Sequence, residues 1–141
     1  MRADGAVVAQ AARAWIGTPY RHQATARGHG TDCLGLIRGL YRELHGQEPL
    51  PVPPYTPAWH GAGEPLLEAA RRALVAADSP AIGDVLLFRM IPGEAARHCG
   101  VLIEEDRFVH AYSGRAVTPA RFSPFWRARL AGAFSFPGTA P

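Results

Sequence analysis

The chain contains no lysine, and all 15 of its basic residues are arginine. With 12 acidic residues, its formal charge is +3 and its pI is about 9.3. The arginines are scattered, and the densest pair, Arg71 and Arg72, is typical of a solvated helix face. A nucleic-acid-binding surface has clustered basic residues interleaved with exposed aromatic residues. The sequence therefore predicts no nucleic-acid partner.

Cysteine is scarce, and long apolar runs are absent. The two cysteines, Cys33 and Cys99, are too few for a disulfide scaffold of the secreted type, although one bridge between them remains open. No apolar run reaches about 18 residues, so no membrane span is expected. Residues 1–4 lead into an amphipathic pattern without an apolar h-region, so no secretory signal peptide is expected. We expect a protein that is made in the cytoplasm.

The length of 141 residues predicts one domain that covers residues 1–141. A domain of this size buries roughly 68–70% of its unfolded surface, so it needs no metal or disulfide for its core. Helical periodicity comes first along the chain, and strand periodicity follows. This order predicts an α+β fold in which N-terminal helices pack on an antiparallel sheet.

The expected elements can be placed approximately. Helices are expected at residues 4–15, 33–44 and 65–77, with a short helix after residue 123. Strands are expected at residues 84–90, 98–104, 107–112 and 132–136. Between the second and third helices, five prolines in residues 49–57 predict an extended connection.

Cys33 is the most informative residue, because it follows a glycine-rich loop at the start of the second helix. It stands in the segment GTDCLGL at residues 30–36, where Thr31 and Asp32 are candidate N-caps. Free N–H groups and the helix dipole stabilise a thiolate at this position, so the pKa of the cysteine falls. The pattern indicates a nucleophile, although a lone buried cysteine is more often a small apolar residue.

A thiolate nucleophile needs a base and a group that orients the base. The strand region offers His98, in RHCGVLI at residues 97–103, and His110, in FVHAY at residues 108–112. Side chains alternate along a strand, so a two-residue loop would place the two histidines on opposite faces. An odd-length loop or a bulge would instead pair His110 with Gly100 and place both imidazoles on one face. We predict the second arrangement.

Other interpretations of these residues remain. His22 and His29 lie on the loop before Cys33 and compete for the role of base. Cys33, His98, Cys99 and His110 are also possible zinc ligands. Zinc is disfavoured because His98 and Cys99 are adjacent on a strand and point to opposite faces. We therefore expect no metal and no cofactor.

Together, these motifs resemble the NlpC-type cell-wall cysteine peptidases, a bacterial branch of the papain-like fold. The resemblance rests on the motifs WIGTPY, GTDCLGL, GDVLLF, HCGV and FVHA, at residues 15–20, 30–36, 83–88, 98–101 and 108–111. Finer features, including PYTP at residues 54–57 and HAYSG at residues 110–114, resemble a subgroup associated with tails of phages and gene transfer agents. One departure is Leu34, where the family usually has serine.

The resemblance implies a triad of Cys33 as nucleophile, His98 as base and His110 as the orienting residue. It implies oxyanion or substrate contacts for Tyr20 and Asp32. The implied substrates are peptidoglycan stem peptides, often cut between D-glutamate and a diamino acid. The implied partners include phage-like tail proteins, so the protein would be carried in a tail particle and act at the cell wall.

Two further functions stay open at this point. One is a non-catalytic tail or wall-binding component, because a fold does not fix a function. The other is an amidase or acyltransferase of the same fold, which would share the triad and differ only in its substrate.

Overall fold

A computed structural model describes residues 1–49, 63–112 and 114–138. Most of the proline-rich connection expected at residues 49–57, including the PYTP motif, lies outside the described residues, as does Ser113 of the HAYSG motif. No helix among the described residues is long and apolar enough to cross a membrane.

The first helices form where expected. Helix α1 spans Gly5–Arg13, and its N-terminus is capped by the Asp4 carboxylate, which accepts from the backbone N–H of Ala6. Helix α2 spans Cys33–His45 and ends at Gly46, whose φ of 80° is the left-handed conformation that glycine favours at a helix end. The intervening loop contains a short hairpin of β1 (Thr25–Ala26) and β2 (Gly30–Thr31).

The third helix is shorter than predicted. Helix α3 spans Pro65–Ala73, and the chain then turns extended at Leu74 and forms strand β3, Val75–Ala77. Strand β3 pairs with the last strand of the sheet, so backbone hydrogen bonds to that strand take the place of a final helical turn. Local helical spacing could not reveal a partner about 60 residues away along the chain.

The sheet is antiparallel and has six strands in the order β3-β8-β4-β5-β6-β7. The strands after β3 are β4 (Val85–Phe88), β5 (His98–Glu104), β6 (Arg107–Ala111), β7 (Val117–Arg121) and β8 (Leu130–Ser135). Strand β7, which contains Pro119, was not predicted. It is an edge strand, where the missing N–H of proline is tolerated. The α+β fold and the short helix α4 (Pro124–Arg127) are as predicted.

The two faces of the sheet carry different buried clusters. One face, with Val85, Leu87 and Val101, packs against α1, α2 and α3. The other, with Leu86, Phe88 and Phe108, packs against Phe122 and the Trp126 side chain of α4. Helix α2 approaches closely because Gly39 lies against the buried indole of Trp15, where a Cβ would fall 2.3 Å from the ring. This packing fixes the N-terminus of α2 beside the start of β5.

Candidate active site

Cys33 is the first residue of α2 and is half-buried. The preceding Asp32 is the N-cap: its Oδ1 accepts from Gly35 N at 2.7 Å, and its Oδ2 accepts from Gln23 N at 2.7 Å. Gly35 is required here, because a Cβ would fall 1.9 Å from the carbonyl oxygen of Ala24. The loop and the helix start therefore form one rigid unit that holds Cys33.

Tyr20 lies beside this unit. It forms a bridge to Thr31, and the neighbouring backbone bonds run from Arg21 N to Thr31 O and from Thr31 N to Pro19 O. Tyr20 is thus fixed next to the segment that leads into Cys33. A role for its hydroxyl group in oxyanion binding stays a prediction, as does a substrate contact by Asp32.

His98 and His110 are in direct contact. His98 Nε2 lies 2.7 Å from His110 Nδ1, and both residues are buried. The predicted bulge is present: Leu102 pairs with Phe108, whereas Glu104 pairs with Arg107. The register that follows places His110 opposite Gly100, where a Cβ would fall 2.9 Å from the Phe108 ring. The two imidazoles therefore share one face of the sheet, as predicted for an odd-length loop or a bulge.

The body of α2 does not cover the face that the two histidines share. It covers the opposite face, onto which Cys99 points. His98 still reaches Cys33, because it is the first residue of β5 and so lies beside the N-terminus of α2. Cys33 Sγ also lies 4.0 Å from the carbonyl oxygen of Arg97.

Aromatic rings enclose the histidine pair. The Tyr112 ring stacks on His98 with centroids 4.9 Å apart, and Trp126 meets His110 edge-on at 5.2 Å. Phe88 and Phe108 complete the enclosure. Sequence reasoning missed these contributions. The aromatic residues around positions 122–126 signalled only a short helix, and nothing local connected them to His110.

Burial determines the protonation of the inner histidine. Desolvation, together with a smaller effect of the positive charge of His98, lowers the pKa of His110 from 6.5 to about 3. His110 is therefore neutral near pH 7, and its Nδ1 can accept a hydrogen bond from the Nε2–H group of His98. This bond leaves Nδ1 of His98 as the ring nitrogen available to Cys33.

The Cys33 thiol has an unusual environment. A hydrogen bond from the Cys99 side chain lowers the pKa of Cys33 most, and His98 lowers it further through a hydrogen bond and its charge. Burial and Asp32 oppose this, yet the pKa of Cys33 stays well below its ordinary value. The arrangement favours a thiolate at Cys33 with a proton on His98, which is the resting state of an activated thiol.

The competing interpretations find less support. His22 lies 3.8 Å from Asp32 Oδ2, and His29 is exposed on the turn between β1 and β2. Among the described residues, no group of three or more His, Cys, Asp or Glu side chains is placed to hold a metal ion. Both cysteines are free thiols. Leu34 packs against the helix-side core and lines an apolar cavity of about 280 Å³ between α2 and α3.

Two curated proteins are similar to this chain over most of its length. The Escherichia coli K12 protein named murein DD-endopeptidase MepS/murein LD-carboxypeptidase is 30% identical over 116 residues, which cover 82% of this chain and 54% of that protein. A Haemophilus influenzae protein named probable endopeptidase is 25% identical over 122 residues and is matched over 68% of its length. The chain thus spans about half the length of the first of these curated relatives.

Solved structures support the fold. The NlpC/p60 domain of the peptidoglycan hydrolase SagA superposes with a TM-score of 0.63 at 22% identity, covering 95% of this chain and 100% of that one. An NlpC/P60 family protein from Bacillus cereus superposes with a TM-score of 0.68 at 19% identity, covering 96% and 41%. The family model described as NlpC/P60 matches residues 17–135. With this match over most of its length, the chain belongs to the NlpC/P60 family.

Proposed function

We propose that the protein is a cysteine peptidase that hydrolyses peptide bonds in peptidoglycan stem peptides. The observation that carries the proposal is the chain of contacts from Cys33 through His98 to His110, in which the last bond measures 2.7 Å. A lowered thiol pKa, a base within reach and a neutral orienting group are the three parts that thiol hydrolysis needs. The murein endopeptidase name of the Escherichia coli relative supports the substrate class.

The proposed reaction begins with the Cys33 thiolate and His98 as an ion pair. The thiolate attacks the carbonyl carbon of the scissile amide, and the electron pair moves to the carbonyl oxygen. The backbone N–H of Cys33 and the hydroxyl group of Tyr20 are the candidate donors to that oxyanion. His98 then protonates the leaving amine, and the thioester forms as the C–N bond breaks.

Water completes the cycle. Neutral His98 accepts a proton as water attacks the thioester, and Cys33 leaves as the thiolate. His110 accepts a hydrogen bond from the Nε2–H group of His98 throughout, which fixes the ring with Nδ1 toward the sulfur. The low pKa of His110 keeps it an acceptor even while His98 carries charge.

The bond that is cut is a finer part of the proposal. We propose the bond between D-glutamate and the diamino acid, on the basis of the family resemblance. Leu34 packs against the helix-side core, so it supplies no polar group beside the nucleophile for a substrate to bond. An amidase or acyltransferase would use the same triad and is distinguished by substrate screening.

A non-catalytic role predicts a buried Cys33 without a histidine nearby. Cys33 is instead half-buried and interacts with His98, which favours the catalytic proposal. Incorporation into a phage-like tail, with delivery to the cell wall, rests on the sequence resemblance alone and stays a prediction.

Digestion of purified muropeptides tests the proposed function. We expect fragments whose masses correspond to cleavage between D-glutamate and the diamino acid, and no fragments with the variant Cys33→Ala. Cys33 is partly exposed, so the smaller side chain should not affect folding, which circular dichroism checks. Equal cleavage by both proteins would remove Cys33 from the mechanism, whereas cleavage at another bond would correct only the specificity.

A further inference from the structure

Cys99 is in contact with the nucleophile, but the proposed reaction does not use it. It follows His98 on β5 and therefore points to the opposite face of the sheet, where it is fully buried. Its Sγ lies 3.2 Å from the backbone carbonyl oxygen of Cys33, to which the thiol donates. Two adjacent residues of β5 thus both lie near Cys33. His98 is at the first position of the strand, and Cys99 is on the face that α2 covers.

The two sulfurs also affect each other directly. A hydrogen bond that the Cys99 thiol can donate to the Cys33 sulfur is the largest cause that lowers the pKa of Cys33, and the same interaction raises the pKa of Cys99 well above its ordinary value. Burial raises the pKa of Cys99 further. Cys99 therefore keeps its proton and acts as a donor, while the Cys33 sulfur becomes the acceptor.

Other charged groups near Cys33 cannot supply this donor. Asp32 raises the pKa of Cys33, and its carboxylate is bound to the N–H groups of Gly35 and Gln23. His22 lies 3.8 Å from Oδ2 of the same carboxylate. His110 is behind His98 and is neutral.

We propose that Cys99 is a positioning residue for Cys33, whose S–H group holds the Cys33 carbonyl in the neutral state and turns to the Cys33 sulfur when the thiolate forms. Rotation about the Cβ–Sγ bond of Cys99 moves only the proton, so the switch needs no space in the packed core. The role rests on the proposed function in one respect, since it assumes that Cys33 is the nucleophile.

A donor role fits Cys99 better than a role as a disulfide partner. Once Cys33 has been oxidised, Cys99 would have to attack it as a thiolate, and the raised pKa of Cys99 keeps Cys99 protonated. Both thiols are free. Because its pKa is raised, Cys99 should not be alkylated under conditions that label Cys33.

Alkylation of Cys33 as a function of pH tests the proposal without any substrate. Iodoacetamide is added to the whole protein at a series of pH values, and peptide mass spectrometry measures the labelling rate at Cys33 separately from Cys99. We expect the variants Cys99→Val and Cys99→Ala, which lack a donor, to raise the pH midpoint of labelling by about one unit. Valine fills the space and alanine leaves it open, so a change shared by both is not a packing effect.

The matched control is Cys99→Ser, which keeps a hydroxyl donor at the same place. We expect its midpoint to stay close to that of the wild type. Unchanged midpoints in the alanine and valine variants would overturn the proposal, and so would an equal rise in the serine variant. Muropeptide cleavage is measured in parallel: if the wild type fails to cleave, the proposed function is wrong, while the labelling midpoints still decide the role of Cys99.

Discussion

The adjacent residues His98 and Cys99 lie on opposite faces of strand β5 and have very different environments. His98 lies on the face enclosed by aromatic rings and contacts a second imidazole, whereas Cys99 lies on the helix-covered face and contacts the backbone of Cys33. Both act on the same sulfur and lower its pKa. In the proposed roles, one strand thus provides a base, His98, from one face and a supporting donor, Cys99, from the other.

The two environments suit different roles in the proposed mechanism. The imidazole of His98 is hydrogen-bonded to the neutral His110, which supports the charge that the mechanism assigns to His98. The thiol of Cys99 is surrounded by the apolar core, where a charge is costly, and it keeps its proton. Substitutions on the aromatic face should therefore change turnover more than substitutions on the helix face.

The largest effect is expected for His98→Ala. Removing the base leaves neither a proton acceptor for the attack nor an acid for the leaving amine, so kcat/KM for muropeptides should fall by about 10³-fold. Initial rates from chromatography of the fragments measure this. The matched control is His22→Ala, which removes the competing loop histidine and should leave the rate near that of the wild type. A larger loss in the control than in His98→Ala would reverse the assignment.

A pH effect on stability is expected from His110. Its pKa is about 3 in the folded protein against 6.5 for the ordinary group, so only the unfolded state takes up this proton between those values. The stability that His110 contributes is complete above pH 6.5 and is lost progressively as the pH falls toward 3. Between pH 7 and pH 5 the loss should be about 2 kcal/mol.

Urea unfolding at the two pH values measures this loss, and His110→Asn serves as the comparison because asparagine does not titrate. The variant should lose about 2 kcal/mol less than the wild type over the same interval. Equal losses in both proteins would show that His110 is not the group responsible.

The smallest effect is expected at the aromatic enclosure. Trp126→Phe keeps an aromatic ring but shortens its contact with His110, which should lower the free energy of unfolding by about 0.5–1.5 kcal/mol. The neighbouring variant Phe125→Leu is the control, because Phe125 is 52% exposed. Thermal unfolding compares the two, and a greater loss for Phe125→Leu would contradict the assigned packing.

Local sequence signals predicted the parts of the fold that depend on local physics. The capping residue Asp32, the helix of Cys33 and its end at Gly46 follow from helix-end chemistry. The shared face of His98 and His110 could be predicted because alternation leaves only two registers, and the chemistry required one of them.

The parts that were missed depend on contacts between distant segments. Strand β3 exists because β8 lies next to it, and β7 tolerates Pro119 because it is at the sheet edge. The face covered by α2 is likewise a packing outcome. Strand alternation places Cys99 and His98 on opposite faces, which argued against a zinc site. The contact between Cys99 and Cys33 could be predicted from this alternation only if the position of α2 were also known.

The central claim is that Cys33 exists as a thiolate paired with His98 near neutral pH. The labelling rate of Cys33 with iodoacetamide across pH, measured on the wild-type protein, tests it most directly. The account predicts a midpoint well below the ordinary thiol value of about 8.5, with rapid labelling persisting to acidic pH. A midpoint at or above that value would contradict it.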